Sequence, residues 1–319
     1  MSQKNNSSKE TKVNARTRAL THGEDVDGVV CAALFLRCYP KAIIRTAKPS
    51  TRLVGRYDLV VDLPLQRSLT TFVWVDHHAT GDEGGTCTIR VHDPGARSAA
   101  GILARHLGIK AEELVGIADR ADSAKYRTPP PIGLKSRGYD PAWEVNDAIK
   151  ATQSRKRFIE LAKVLAFGSI EELKKEFNAE ISHTRRVRQG AENTVKWISK
   201  LVEKRKPDSM IILMPSGEKS STASGHLVFS LYPQGIKVFA VFYENGCWLS
   251  VATGFDGLDA SELARRYGGG GHQKSAGARI GTNRLGEIKR EFERVGLSTL
   301  VVDLRKKSQS GVRTKSTSD

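Results

Sequence analysis

The sequence is poor in several features that would narrow its class at once. Only four of its 319 residues are cysteine (Cys31, Cys38, Cys87 and Cys247), and none stands in a CxxC spacing. That excludes a disulfide scaffold, so the four read as reduced and mostly packed. Aromatic residues make up 7% of the chain, and Trp74, Trp143, Trp197 and Trp248 read as packing, with base stacking the lesser alternative. Apolar residues come in runs of four to eight, far short of the ~20 that a membrane-spanning helix needs. No membrane partner is expected. The polar, basic opening MSQKNNSSKETKVNARTR has no apolar segment behind it, which argues against a secretory leader and for cytoplasmic residence. No internal repeat is visible.

Negative charge is also scarce, with 35 acidic residues against 51 Lys and Arg, leaving a net +16. The excess is local: +4 within residues 1–20, +8 within 150–206 and +4 within 305–319, while the stretches between them balance. Clustered cations suit a polyanionic partner, because they release counterions from a phosphate backbone. A solvated helix face and solubilising tails are the plainer reading of the same charges.

What is present is enough apolar residue, 39% of the chain, for about two cores. Between a disordered basic tail (1–18) and a second one (305–319), the pattern predicts an α/β protein. An N-terminal parallel-sheet domain (19–140) is followed by a helical connector (141–206) and a smaller C-terminal α/β domain (207–304). Strands are expected at Ala19–Thr21, Ala42–Thr46, Asp58–Val61 and Phe72–Val75, and helices at Val29–Arg37, Ser98–Leu107 and Ala111–Asp122. TPPPIG breaks the chain, and Pro141 to Arg205 reads as helix throughout. The second domain is expected to hold strands Ser209–Met214, Lys237–Phe242 and Cys247–Ala252, with helices Ser261–Tyr267 and Asn283–Arg294.

Four segments of the first domain deliver metal-ligand residue types beyond apolar runs: THGEDVDG with His22, Asp25 and Asp27; VVDLP with Asp62; VDHHATG with Asp76, His77 and His78; and IADRADS with Asp119 and Asp122. In open α/β sheets, ligands bind beyond the carboxyl ends of strands. Imidazole with several carboxylates is a borderline-to-hard donor set that suits manganese, magnesium or zinc. Two ions ~3.5–4 Å apart can share a carboxylate, generate hydroxide at neutral pH and stabilise displacement at phosphorus. Any one segment alone is as well read as turn or cap chemistry.

In this order the motifs resemble the DHH phosphoesterases, a superfamily that takes in RecJ-like exonucleases, nanoRNases, cyclic dinucleotide phosphodiesterases and family II pyrophosphatases. The resemblance runs from about Ala19 to Ile280, and VDHH is its naming motif. It implies His22 and Asp25 on one metal, Asp27 and His77 on the other, and Asp62 bridging the two. It also implies that His78 contacts the scissile phosphate, that Asp76 orients the histidines, and that Asp119 or Asp122 is the last carboxylate, with Asp119 slightly favoured. Manganese is the ion the resemblance implies, with magnesium acceptable. The HGEDVD spacing is intermediate between two forms seen in relatives, and Glu24 stands where it could tune the site.

YGGGGHQKSAGA, Tyr267 to Ala278, resembles the GGGH signature of the DHH-associated domain. Glycines let a backbone approach a phosphate closely and expose amides to an anion. The substrate candidates are Gly269, Gly270, Gly271, His272, Lys274, Ser275 and Arg279, while a plain flexible loop is the alternative. Ser98 reads as a helix cap, with a phosphate contact the lesser alternative. Arg185, Arg186 and Arg188 read either as lining a cleft or as a solvated face.

Together these imply a metal-dependent phosphodiester hydrolase of short or single-stranded RNA or DNA, an exonuclease or oligonucleotidase. The alternatives are a cyclic or linear dinucleotide phosphodiesterase and a catalytically silent nucleic-acid binding protein.

Overall fold

A computed structural model describes residues 17–79, 81–133, 138–152, 154–215, 220–243 and 248–305. Nearly all of both basic tails, and Cys247, lie outside these residues. Among the described residues, no helix is long and apolar enough to cross a membrane. The chain divides into two compact units.

The first unit is built on a parallel sheet of five strands, β1 (Arg18–His22), β2 (Ile43–Ala47), β3 (Gly55–Val61), β5 (Leu69–Asp76) and β7 (Thr86–His92). Their order is β2-β1-β3-β5-β7. Two short strands, β4 (Leu65–Gln66) and β6 (Asp82–Glu83), lie in the returns between the longer ones and pair with each other. All four expected strands are present, and β5 runs three residues further back because Leu69, Thr70 and Thr71 pair with Gly55, Arg56 and Tyr57. The fifth strand, β7, went unpredicted. Its sequence TCTIRVH is largely exposed, so no apolar run marks it.

Helix α1 (Val26–Cys38) is buried at every position from Val26 to Leu36, as expected of a helix apolar on all sides. It packs against β1, α2 (Ala99–Leu107), α3 (Glu112–Asp122) and α5 (Arg155–Phe167). It begins three residues earlier than expected, because the Asp25 side chain accepts the Gly28 amide and caps it. That early start puts Asp27 inside the first turn.

The predicted continuous helix from Pro141 to Arg205 is in fact four: α4 (Pro141–Lys150), α5, α6 (Ile170–Glu176) and α7 (Asn178–Arg205). Ser154 caps α5. Ser169 and Glu172 cap α6 reciprocally, the Glu172 amide donating to Ser169 Oγ (3.2 Å) and the Ser169 amide to Glu172 Oε2 (2.7 Å). These helices divide between the units. The first unit takes α5, where Arg37 Nε donates to the Ala166 carbonyl at 2.8 Å. The second takes α4 and α7.

The second unit holds a six-stranded sheet ordered β11-β12-β10-β9-β8-β13. Its strands are β8 (Ser209–Met214), β9 (Val238–Tyr243), β10 (Trp248–Thr253), β11 (Gly270–His272), β12 (Ser275–Arg279) and β13 (Thr299–Asp303). β8 runs parallel to both β9 and β13, and the remaining pairs are antiparallel. One face packs against α7 and α8 (Ser220–Leu231), the other against α9 (Ala260–Arg265) and α10 (Leu285–Arg294). Helix α8 and strand β13 were not anticipated; α8 is SSTASGHLVFSL, whose serines and glycine mask its helical period.

Three tryptophans pack as expected. Trp74 is fully buried with Nε1 donating to the Leu63 carbonyl (3.0 Å). Trp143 stacks on Tyr126, and Trp197 is half-buried against the core beneath α7. The indole of Trp248 lies outside the described side chains.

Candidate metal centre

The strand order of the first sheet reverses at β1. The chain passes from β1 outward to β2 and then returns to β3 on the other side. This is the switch point at which open parallel sheets form a crevice beyond their strand ends. β1 ends in His22 and is followed by Asp25 and Asp27; β3 is followed at once by Asp62; β5 ends in Asp76, with His77 next. Topology alone therefore gathers residues that lie more than fifty positions apart.

Asp62 sits at the centre. It is 2% exposed, and its two oxygens face different groups: Oδ2 lies 3.7 Å from His22 Nδ1, and Oδ1 lies 3.7 Å from His77 Nε2. Its backbone is left-handed, with φ of +56°, a conformation costing about 1–3 kcal/mol that concentrates at functional sites. The Asp62 amide donates to the Val75 carbonyl at 3.0 Å, which holds the turn in place.

Around Asp62 stand two sets of donors. His22 Nδ1 lies 2.6 Å from Asp25 Oδ2, forming the first set with Asp62. His77 Nε2 lies 3.6 Å from Asp27 Oδ2, 3.7 Å from Asp62 Oδ1 and 3.7 Å from Asp122 Oδ2, forming the second. His77 Nδ1 faces the Ala96 carbonyl at 3.3 Å. A proton held there leaves the Nε2 lone pair directed at the carboxylates, the arrangement expected of an orienting partner beyond the ligands.

The neighbouring contacts distinguish the remaining acidic side chains. Asp27 accepts the Ala99 amide on Oδ2 (2.7 Å) and the Ala100 amide on Oδ1 (2.9 Å), both at the N-terminus of α2. Asp76 is fully buried and accepts the His77 amide on Oδ1 at 2.9 Å. Asp119 takes the Ser98 hydroxyl at 2.5 Å, while Ser98 Oγ accepts the Gly101 amide and caps α2. Asp122, one turn further along α3, is the carboxylate that meets His77. Glu24 turns outward to Lys48 (2.5 Å).

The electrostatics of the cluster favour positive charge. Burial, and then the fields of Asp27, Asp25, Asp122 and Asp76, push the Asp62 carboxyl well above its ordinary range. Burial, followed by Asp27, Asp62 and Asp25, likewise pushes up the thiol of Cys31, whose sulfur lies 3.7 Å from Asp27 Oδ1. Asp25, Asp27, Asp62 and Asp122 carry four negative charges when ionised, and two divalent cations would balance them. Oxygen and imidazole donors are also the chemistry that such ions select. The residues present thus fit a pair of divalent ions.

Three supports escaped sequence reading. The Ala96 carbonyl and the left-handed Asp62 leave no mark in composition. Gly81 was visible in HHATG, and its role is steric: a Cβ there would overlap the Asp76 carboxylate.

In the second unit, the glycine run forms the edge strand β11 of a hairpin with β12, which sets aside the alternative of a plain flexible loop. Gly271 has φ of +137°, and a Cβ there would press on Ala276 Cα. Gly270 pairs with Gly277 and His272 with Ser275. A Cβ on Gly269 would overlap the Gly277 carbonyl. Lys274, at the tip, reaches Asp256 at 3.2 Å, and Ser275 and Arg279 are exposed. His78 is half-buried and groups with this unit.

Arg185 and Arg188 neither line a cleft nor form a solvated face. Arg185 binds Asp147 Oδ2 (3.0 Å) and Glu144 Oε2 (2.6 Å), Arg188 pairs with Asp147 Oδ1, and all four residues are buried between α4 and α7. Arg186 alone of the three is exposed.

No family model matches the chain, and no curated protein does. Solved structures do match. The pGpG-specific phosphodiesterase PggH from Vibrio cholerae is 18% identical with a TM-score of 0.54, and the match covers 88% of this chain and 98% of that one. RecJ from Thermus thermophilus in complex with Mn2+ is 15% identical with a TM-score of 0.56, covering 91% of this chain and 54% of that one. A manganese-bound RecJ exonuclease is 16% identical with a TM-score of 0.51, covering 88% and 89%. The chain has the α/β fold of these neighbours.

Proposed function

We propose that the chain is a two-metal phosphodiester hydrolase that acts on short or single-stranded RNA or DNA and releases nucleoside monophosphates from a chain end. The observation that carries this reading is the placement of Asp62, whose two oxygens face His22 and His77 separately at 3.7 Å each. A carboxylate so placed would be able to serve both ions of a paired-cation site. His22, Asp25 and Asp62 would hold one ion; Asp27, Asp62, His77 and Asp122 would hold the other. Asp122 is favoured over Asp119 because Ser98 already engages Asp119.

Divalent ions bound there supply a hydroxide nucleophile at neutral pH and neutralise charge on the phosphoryl oxygens. The protein's own residues do the positioning. Ala96 and Asp76 fix His77 from its ring and its amide, and the α2 amides fix Asp27. His78, by resemblance, contacts the scissile phosphate. The glycine hairpin with His272, Lys274, Ser275 and Arg279 is the candidate for gripping the nucleotide. Manganese or magnesium fits the donors, and the solved RecJ structures carry one or the other.

A second reading, a dinucleotide phosphodiesterase, is favoured by size. The match spans 98% of the pGpG-specific phosphodiesterase, against 89% of the manganese-bound RecJ exonuclease and 54% of the Thermus RecJ chain. One experiment tests both. The protein is incubated with manganese and a length series of labelled RNA and DNA, beside linear and cyclic dinucleotides. The first reading expects shortening of oligomers to mononucleotides, and the second expects cleavage of dinucleotides only. Asp62→Asn should lose at least about a hundredfold in kcat, the scale of removing one electrostatic catalytic group. Full activity in that variant would refute the site.

A further inference from the structure

The second unit contains a site that the proposed hydrolysis does not use. A cleft of about 490 Å³ opens between α7, α8 and the carboxyl ends of β8 and β13, lined among others by His183, Arg186, Gly190, Met214, Leu227 and Leu304. Its volume falls within the ~300–1,000 Å³ of small-molecule sites.

Its place in the topology is the second switch point of the molecule. From β8 the chain leaves through α8, on one face of the sheet, to β9 on one side. It enters β13 on the other side through α10, which covers the opposite face. A crevice forms beyond the strand ends where such connections part. Met214 ends β8, and Leu304 follows β13 with its amide donating to the Leu213 carbonyl. The glycine hairpin stands at the other end of the same sheet, since His272 is level by register with Ser275, Ala252, Phe239 and Met210.

The lining has a polarity. His183 and Arg186 lie one turn apart on α7, exposed, and neither has a hydrogen-bond or ion-pair partner among the described residues. Their neighbours Arg185 and Arg188 are, by contrast, wholly engaged by Asp147 and Glu144. A turn beyond Arg186 is Gly190. Glycine within a helix costs stability relative to alanine, yet an added Cβ at Gly190 would meet nothing within 4 Å. Packing does not require this glycine; what it provides is room in the cleft. Beyond it the walls are apolar, with Met214, Leu227 and Leu304.

We propose that this cleft binds a nucleoside monophosphate, with the phosphate on His183 and Arg186 and the base against the apolar wall. A basic end and an apolar wall match that ligand class. The choice of nucleotide rests on the function proposed above, because it is the product such a hydrolase releases.

The test is equilibrium binding to the full chain carrying His272→Ala and Lys274→Ala and treated with EDTA, so that neither the glycine hairpin nor the paired-cation centre contributes. The probes are adenosine and uridine 5′-monophosphates, adenosine and inorganic phosphate. Saturable binding of the monophosphates is expected at one per chain, with adenosine and phosphate each at least about tenfold weaker. Arg186→Ala should weaken the monophosphates about tenfold, and Gly190→Leu should abolish binding while circular dichroism shows an intact helix. Ala223→Leu fills the cleft from α8 and should do the same. Absence of saturable binding by the chain without a cleft substitution, or undiminished binding in both filled variants, would overturn the site. Metal stoichiometry and hydrolysis are read separately, so a chain that cleaves oligonucleotides but fails this titration sinks the cleft alone.

Discussion

At the scale of single residues, the two acids of IADRADS have different work. Asp122 meets His77 at 3.7 Å, and Asp119 is held by Ser98 at 2.5 Å. Asp122→Asn should therefore lower bound manganese from about two ions to about one per chain, read by elemental analysis of the dialysed protein. Asp119→Asn should retain both ions and weaken the His77 site by about ten- to a hundredfold, as loss of an outer support does. The spacing of the motif left both acids open, since they lie three apart on one helix and only tertiary contacts tell them apart.

Asp62 gives a pH dependence. Burial first, and then four neighbouring carboxylates, raise its folded pKa well above 3.8. An acid raised on folding favours the native state when protonated, so the metal-free chain loses this contribution as pH climbs from 3.8 toward the raised value. A bound dication requires the ionised form and must displace the proton. Calorimetric manganese titrations in buffers of different ionisation enthalpy should show proton release that grows as pH is lowered. Binding with no proton release across that range would contradict the raised carboxyl.

At the scale of elements, the strands that lead into the candidate centre were legible because apolar runs end abruptly in Asp or His. β1, β3 and β5 are all of this kind. Elements were lost where polarity hides the period, as in exposed β7 and serine-rich α8, or where a pattern has two readings, as in the glycine run that pairs as β11. The arginines of α7 show the same limit. Three basic residues within four positions look like a solvated stripe, and only the fold reveals Asp147 and Glu144 opposite two of them. Removing one member of a buried charge network leaves its partner uncompensated, at about 3–5 kcal/mol. Arg188→Ala should lower unfolding stability on that scale in urea, whereas exposed Arg186→Ala should change it by less than about 0.5 kcal/mol.

At the scale of the whole molecule, the charge map and the fold separate cleanly. The neutral stretches 21–149 and 207–304 hold both motifs and, apart from the first three residues of β1, both sheets, and the +8 of residues 150–206 falls on helices shared between the units. Sequence reading placed that charge on one connector. The structure gives α5 to one body and α4 and α7 to the other, because apolar faces rather than chain continuity decide where a helix docks. Net charge speaks to a polyanionic partner and not to architecture.

Helix α1 is sealed in the core along eleven consecutive residues, and it is the helix that Asp25 caps and that carries Asp27. Two of the proposed ligands, Asp25 and Asp27, are therefore rooted in a helix that the core encloses. The cage should keep its shape when stripped of ions, so that one divalent species can replace another by simple exchange, without the polypeptide having to unfold and reassemble.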